Sequence, residues 1–171
     1  MTDLPEINPE DIVETEVIEH EEATTERTVA RRVALQVLYE VDSAHHPVGG
    51  VLTARIQEEP ISRKAARYVQ RLVEGVLKHR DRLDIVIQHY ATEWPLDQMA
   101  IVDRNILRLA IYELLIEPIA PIRVAIDEAV ALARLFGAEG SIRFVNGVLG
   151  TLITDEDRVR QLLGLGESDL S

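Results

Sequence analysis

Apolar residues recur in this chain every three to four positions and nowhere alternate for long. That spacing lays them along one face of a 3.6-residue helix, so the chain folds by packing helices rather than strands. Ala30, Val33, Ala34, Val37, Leu38 and Val41 form one stripe; Ala66, Val69, Leu72, Val73, Val76 and Leu77 form another. The aromatic share is only 4% and there are 9 glycines in 171 residues, which argues against a strand-rich sandwich. Hydrophobic residues reach 46%, enough for a buried core.

Helix-breaking residues divide these stripes. Thr25 and Glu26 open the first, and His45-His46-Pro47 with Gly49-Gly50 closes it. A short helix is expected over Val51 to Gln57. Ser62 suits the N-cap of the next, which runs to about Tyr90 with a break near His79–Asp81. Trp94-Pro95 marks a boundary. An apolar segment follows from Met99 to Ile116. Pro121 and Gly137 then bracket a helix by the usual asymmetry of proline first and glycine last. Ser141 suits the cap of a last helix ending near Ile153, and Gly164 and Gly166 lie in a loose C-terminus. The expectation is an all-α fold of six or seven helices.

Charge is unevenly placed. The formal net charge is −12, yet residues 1–26 hold ten acids and neither Lys nor Arg, which leaves the remainder almost neutral. Residues 1–24 have two early prolines and few large apolar side chains, so they read as a disordered acidic tail. Residues 25–171 read as a single helical domain. The tail would be a solubility device, or an intramolecular competitor covering a basic face.

Several chemistries are excluded or disfavoured. Without cysteine there is no disulfide, thiolate metal site or cysteine nucleophile. No apolar run of about 18 residues suggests a membrane span. The acidic N-terminus lacks the basic region of a secretory signal, so a cytoplasmic protein is expected. His45-His46 has no partner at metal-ligand spacing, no glycine-rich loop is placed to cradle phosphate, and Ser141 has no evident His and Asp partners. No cofactor, metal or enzymatic activity is expected.

Binding fits the residues better. Arg27, Arg31 and Arg32 cluster where the acidic stretch ends, and a second basic set runs from Arg63 to Arg82. Of the 18 bases, 16 are Arg, which grips phosphate bidentately and stacks on bases. Tyr90 and Phe144 offer flat faces to unpaired bases, or fill the core.

Three blocks carry a resemblance. Ala30-Arg31-Arg32-Val33-Ala34-Leu35-Gln36-Val37-Leu38-Tyr39 resembles the first helix of the bacterial NusB antitermination factors. Val102-Asp103-Arg104-Asn105-Ile106-Leu107-Arg108-Leu109-Ala110-Ile111-Tyr112-Glu113-Leu114 resembles the central helix of that family. The stretch from Pro121 to Val130, with Phe136-Gly137-Ala138-Glu139 and Phe144-Val145-Asn146-Gly147-Val148-Leu149, resembles its C-terminal signature. Order and spacing match over about residues 25–155.

The resemblance implies two packed sub-bundles of three to four helices, about 25–90 and 91–155. It implies pairing with the ribosomal protein NusE and binding of single-stranded boxA RNA. It also implies entry into an RNA polymerase antitermination complex with other Nus factors, which suppresses termination in ribosomal RNA operons. By the same resemblance Arg27, Arg31, Arg32, Gln36, Tyr90 and Phe144 face RNA. Asp103, Arg104 and Glu113 face the protein partner. Asn146 and Gly147 are assigned to structure, an amide tying helix ends and a close packing point.

Two other readings stay open: a protein-interaction module of the same fold without RNA binding, and a relative of the N-terminal domain of ribosomal RNA cytosine methyltransferases. The second is opposed by the lack of any cysteine and by a chain end at Ser171 that leaves no room for a methyltransferase domain. A homodimer is compatible with all of these.

Overall fold

A single continuous core, drawn from all eight α-helices of the described residues, organises the chain. The structure, a computed structural model, describes the backbone of residues 9–165 and the side chains of residues 25–165. The helices are α1 (Pro9–Ala44), α2 (Val48–Glu58), α3 (Arg63–Lys78), α4 (Arg80–Tyr90), α5 (Ile101–Ile111), α6 (Ile122–Phe136), α7 (Ser141–Ile153) and α8 (Glu156–Leu162). A 3₁₀ turn, Leu96–Gln98, precedes α5, and a π-helical turn, Tyr112–Ile116, ends it. Among the described residues there is no strand. Nor is any helix there long and apolar enough to cross a membrane.

α5 is the central element. It packs on α1, α3 and α4 on one side and on α6 and α7 on the other. Asn105 to Leu115 are buried without interruption, so the long apolar run from Met99 is that of a helix enclosed on every side. The run is not one regular helix. Glu117 N–H reaches the Tyr112 carbonyl at 3.0 Å, five residues back, and this widens the last turn. The wider turn lets Tyr112 and Glu113 both point inward.

Tyr112 meets α3 at Gly75. A Cβ at Gly75 would overlap the Tyr112 ring, so only a bare Cα lets the two elements approach. Gly75→Ala is expected to cost about 1–3 kcal/mol through overpacking, more than the ~1 kcal/mol of helix propensity it gains. A lower thermal midpoint in Gly75→Ala, restored by adding Tyr112→Leu, checks this.

Several helix ends follow the sequence. Ser62 accepts the Ala65 N–H at 3.1 Å as N-cap of α3, His79 separates α3 from α4, and Pro121 and Gly137 flank α6. Others differ. α1 begins at Pro9 rather than at Thr25. The stretch from 10 to 24 lacks Gly and Pro and is rich in Glu, a good helix former, so propensity carries the helix beyond its apolar stripe. Of the tail expected to be disordered, residues 1–8 lie outside the described residues.

Gly140, at φ 92°, caps α7, and Ser141 is the first helical residue. The Ser141 hydroxyl instead accepts the Ala138 N–H at 3.0 Å. Gly147 is not a packing point either: a Cβ there would meet nothing, and the residue is exposed. Asn146 is exposed and makes no side-chain hydrogen bond to a described residue, so it ties no helix end. Within the expected loose C-terminus lies α8, which buries Val159 fully; at seven residues it is too short to show a period.

Two ion clusters pin α1 to the rest. Asp42 on α1 accepts from Arg104 Nε and Nη2 at 2.7 Å, from Asn105 Nδ2 at 2.8 Å and from Arg108 Nη1 at 3.0 Å. Arg108, 6% exposed, also donates to Asp84 of α4 at 2.7 and 3.0 Å. The second cluster is Arg31, Glu113 and Tyr68. Arg31 donates to Glu113 at 2.9 Å, and the Tyr68 hydroxyl donates to the same carboxylate at 2.9 Å. Glu128 stands 3.8 Å from Arg31.

Candidate nucleic-acid and partner interface

The first helix shows two faces with different fates. Arg31 is 2% exposed, and Glu113 likewise. Burial pulls the Arg31 pKa down, but the hydrogen bond and charge of Glu113 outweigh it and hold it above the ordinary value. Burial and the Glu113 charge push the Tyr68 hydroxyl up to about 12. Arg31 is therefore a core cation and not an RNA-facing one, and Glu113 is its buried counter-ion and not a partner surface. A guanidinium whose polar atoms are all engaged inside the protein has none to offer a phosphate. Arg104 is likewise engaged by Asp42, so its charge is used to join α5 to α1.

Four of the other candidates, Gln36, Asp103, Tyr90 and Phe144, converge. Three open clefts run side by side along one surface. The first, about 440 Å³, is walled by Gln36 and Tyr39 of α1, Arg55 of α2, Ile101 and Val102 of α5, and Phe136. The second, about 390 Å³, holds Trp94, Asp103, Ser141 and Phe144. It shares Ala100 and Ala138 with the first. The third, about 370 Å³, lies between Tyr90, Trp94, Arg143, Phe144 and Gly147. It shares Trp94 and Phe144 with the second. Together they form one trough from Tyr39 to Tyr90.

The trough gathers Gln36, Asp103, Tyr90 and Phe144 from the expected site residues. It excludes Arg27, Arg31, Arg32, Arg104 and Glu113. Arg32 is half-buried on α1, and Arg27 is exposed in a groove described below.

Each expected residue in the trough has a definite state. Tyr90 is half-buried, and its hydroxyl donates to Asp155 at 2.7 Å. Burial and that bond push its pKa up to about 12, so the ring stays neutral and fixed. Phe144 stands half-buried between two clefts. Asp103 is 8% exposed, and its Oδ1 has no hydrogen-bond partner; Gln36 Oε1 is the other such buried atom among the described side chains. Burial lifts the Asp103 carboxyl above its ordinary value, an effect that the nearby Ser141 hydroxyl opposes. A buried acceptor without a donor is costly, so this carboxyl lowers the stability of the fold beside the second cleft.

Trp94 is the residue that the sequence reading passes over. It is 53% exposed and borders two clefts. Its signal was a lone tryptophan in a loop, where a large apolar ring has no core to fill. Among the described residues no three His, Asp or Glu side chains group as metal ligands.

The family model described as the NusB family matches residues 28–154, a stretch that contains every residue lining the trough. The chain belongs to the NusB family. Among its relatives is the transcription antitermination protein NusB of Chloroflexus aggregans, 46% identical over 132 residues, which is 76% of this chain and 88% of the relative. The protein of the same name from Dehalococcoides mccartyi is 46% identical over 129 residues, 75% of this chain and 90% of the relative.

Solved structures agree in fold. NusB of T. maritima superposes with a TM-score of 0.68 at 33% identity, covering 79% of this chain and 90% of that one. A chain from a crystal structure of NusB and NusE in complex with double-stranded RNA gives 0.71 at 27% identity, covering 77% and 98%. The NusB match begins after Arg27 and ends before α8, so the acidic segment and the last helix lie outside it.

Proposed function

We propose that this chain is an RNA-binding transcription antitermination factor. In this reading it pairs with a NusE partner and seats unpaired boxA RNA in the trough. It then acts with other Nus factors on RNA polymerase, chiefly in ribosomal RNA operons, in the cytoplasm. The observation that carries the reading is the pair of aromatic side chains, Trp94 and Phe144, that line two adjoining open clefts, with Tyr90 on the wall of one and Asp103 on the wall of the other. Aromatic side chains along open clefts suit a ligand that is itself flat, which describes an unpaired nucleobase. Family membership supports it, as does the NusB–NusE–RNA complex among the structural neighbours.

Of the three partner candidates, Asp103 alone borders the trough, so RNA and NusE meet at that point. Binding of one then favours binding of the other, reciprocally. The protein-interaction reading draws on a specific observation of its own. Arg31, Arg104 and Arg108 are all engaged by internal carboxylates, and Arg143 is the one trough arginine without an ion pair among the described residues.

Fluorescence anisotropy of a labelled boxA RNA, with and without NusE, separates the two. Phe144→Ala and Trp94→Ala are each expected to weaken RNA binding about tenfold or more, since stacking is worth about 1–3 kcal/mol per base. Asp103→Asn is expected to reduce the gain that NusE brings. Undiminished NusE binding by a protein that takes up no RNA would establish the interaction module instead.

A further inference from the structure

A second groove lies away from the trough, between α1 and α3. Arg27, Lys64, Arg67 and Arg71 rim it, and Tyr68 and Ile119 contribute apolar surface; its volume is about 280 Å³. Arg27 and Gln36 sit half a turn apart on α1 at 3.6 residues per turn, so groove and trough open on opposite sides of that helix. Lys64, Arg67 and Arg71 follow one another at spacings of three and four, which aligns them in one row on α3.

The groove is built, and three of its four cations have no ion pair to a described residue. Tyr68 is held from beneath by Glu113 at 2.9 Å, and the Arg27 guanidinium lies 6.0 Å from its ring centre. Arg71 is paired with Glu117. Arg27, Lys64 and Arg67 have no ion pair to any described residue. Glu26 is the one acid among the lining residues. Three cations in one cleft, unpaired among the described residues on a chain of net charge −12, suit a polyanion.

We propose that the α1–α3 groove is a second RNA-binding surface, one that holds phosphates of the strand beyond the trough-bound bases. The inference rests on the RNA-binding reading above and adds a site to it. The groove reads no sequence, because its contacts are to the backbone; it contributes affinity and salt dependence. The acidic residues of 1–26 are the competing anion.

The test uses the full chain with its NusE partner and RNAs of about 30 nucleotides, with and without a boxA sequence. Lys64→Gln with Arg67→Gln is expected to weaken both RNAs alike, about tenfold, and to lower the slope of log K against log salt by ~0.7 per removed contact. The denaturation midpoint serves as a fold control, since both side chains are exposed. Unchanged affinity and slope in the variant, with wild type binding normally and Phe144→Ala impaired, would overturn the groove and leave the trough standing. Tighter RNA binding by the variant, or an effect that vanishes once residues 1–24 are deleted, would also overturn it, making the acidic segment the occupant. Failure of wild type to bind either RNA would remove both proposals.

Discussion

Arg31→Ala is expected to destabilise the protein by about 3–5 kcal/mol, the cost of leaving a buried carboxylate without its cation. Glu113 and Arg31 side chains are each 3% exposed, so neither can turn to water when the other is removed. In urea, where small proteins lose roughly 1–3 kcal/mol per molar, the midpoint falls by about 2 M. Arg31→Glu is more damaging still, because it sets a carboxylate against Glu113 and Glu128. Loss of RNA binding in such variants would report unfolding, not a lost phosphate contact. Arg31→Met with Glu113→Leu removes both charges at once and is expected to recover most of the stability. A midpoint within a few tenths molar of wild type for Arg31→Ala would show that the pair is not what joins α1 to the π-helical turn.

The second large effect lies at Asp42. Asp42→Ala leaves Arg104 with the Leu96 carbonyl, Asn105 Nδ2 with the Ile101 carbonyl, and Arg108 with Asp84 and the Asn105 side chain, at an expected cost of about 3 kcal/mol. The same cluster gives an acid signature. Burial alone would raise the Asp42 carboxyl, but hydrogen bonds from Arg104 and Asn105 and the charge of Arg108 hold it at about 2, below the ordinary 3.8. A carboxyl depressed on folding stabilises the protein above its unfolded pKa. That contribution fades as pH falls from 3.8 toward 2, by about 2 kcal/mol in all. Denaturant midpoints over that window are expected to drop more steeply in wild type than in Asp42→Asn. Parallel curves would mean that Asp42 titrates normally.

What could be read from the residues depended on how far each signal reached along the chain. Apolar periodicity, the Ser62 cap and the Pro121–Gly137 bracket are local, and each helix they define is present. The π-helical turn at Tyr112–Ile116 is written in an apolar run that also suits an unbroken helix, and only the inward packing of both Tyr112 and Glu113 distinguishes them. Arg31 and Glu113 are 82 residues apart, so an arginine on the first helix read as a surface cation until its counter-ion was brought to it. The trough is similar. Tyr90 and Phe144 were visible as aromatics, but their meeting with Trp94 depends on how α4, the loop before α5 and α7 converge.

The shared walls of the trough give it a property that none of its clefts has alone. Trp94 and Phe144 serve two clefts, and Ala100 and Ala138 join the next pair, so no wall moves for one occupant without altering the room left for its neighbour. A chain-like ligand threaded through all three is thereby held in phase: seating one link fixes the station of the next. A detached unit gains one cleft and disturbs another. The surface acts as a gauge of continuity, favouring an uninterrupted run over the same pieces supplied separately.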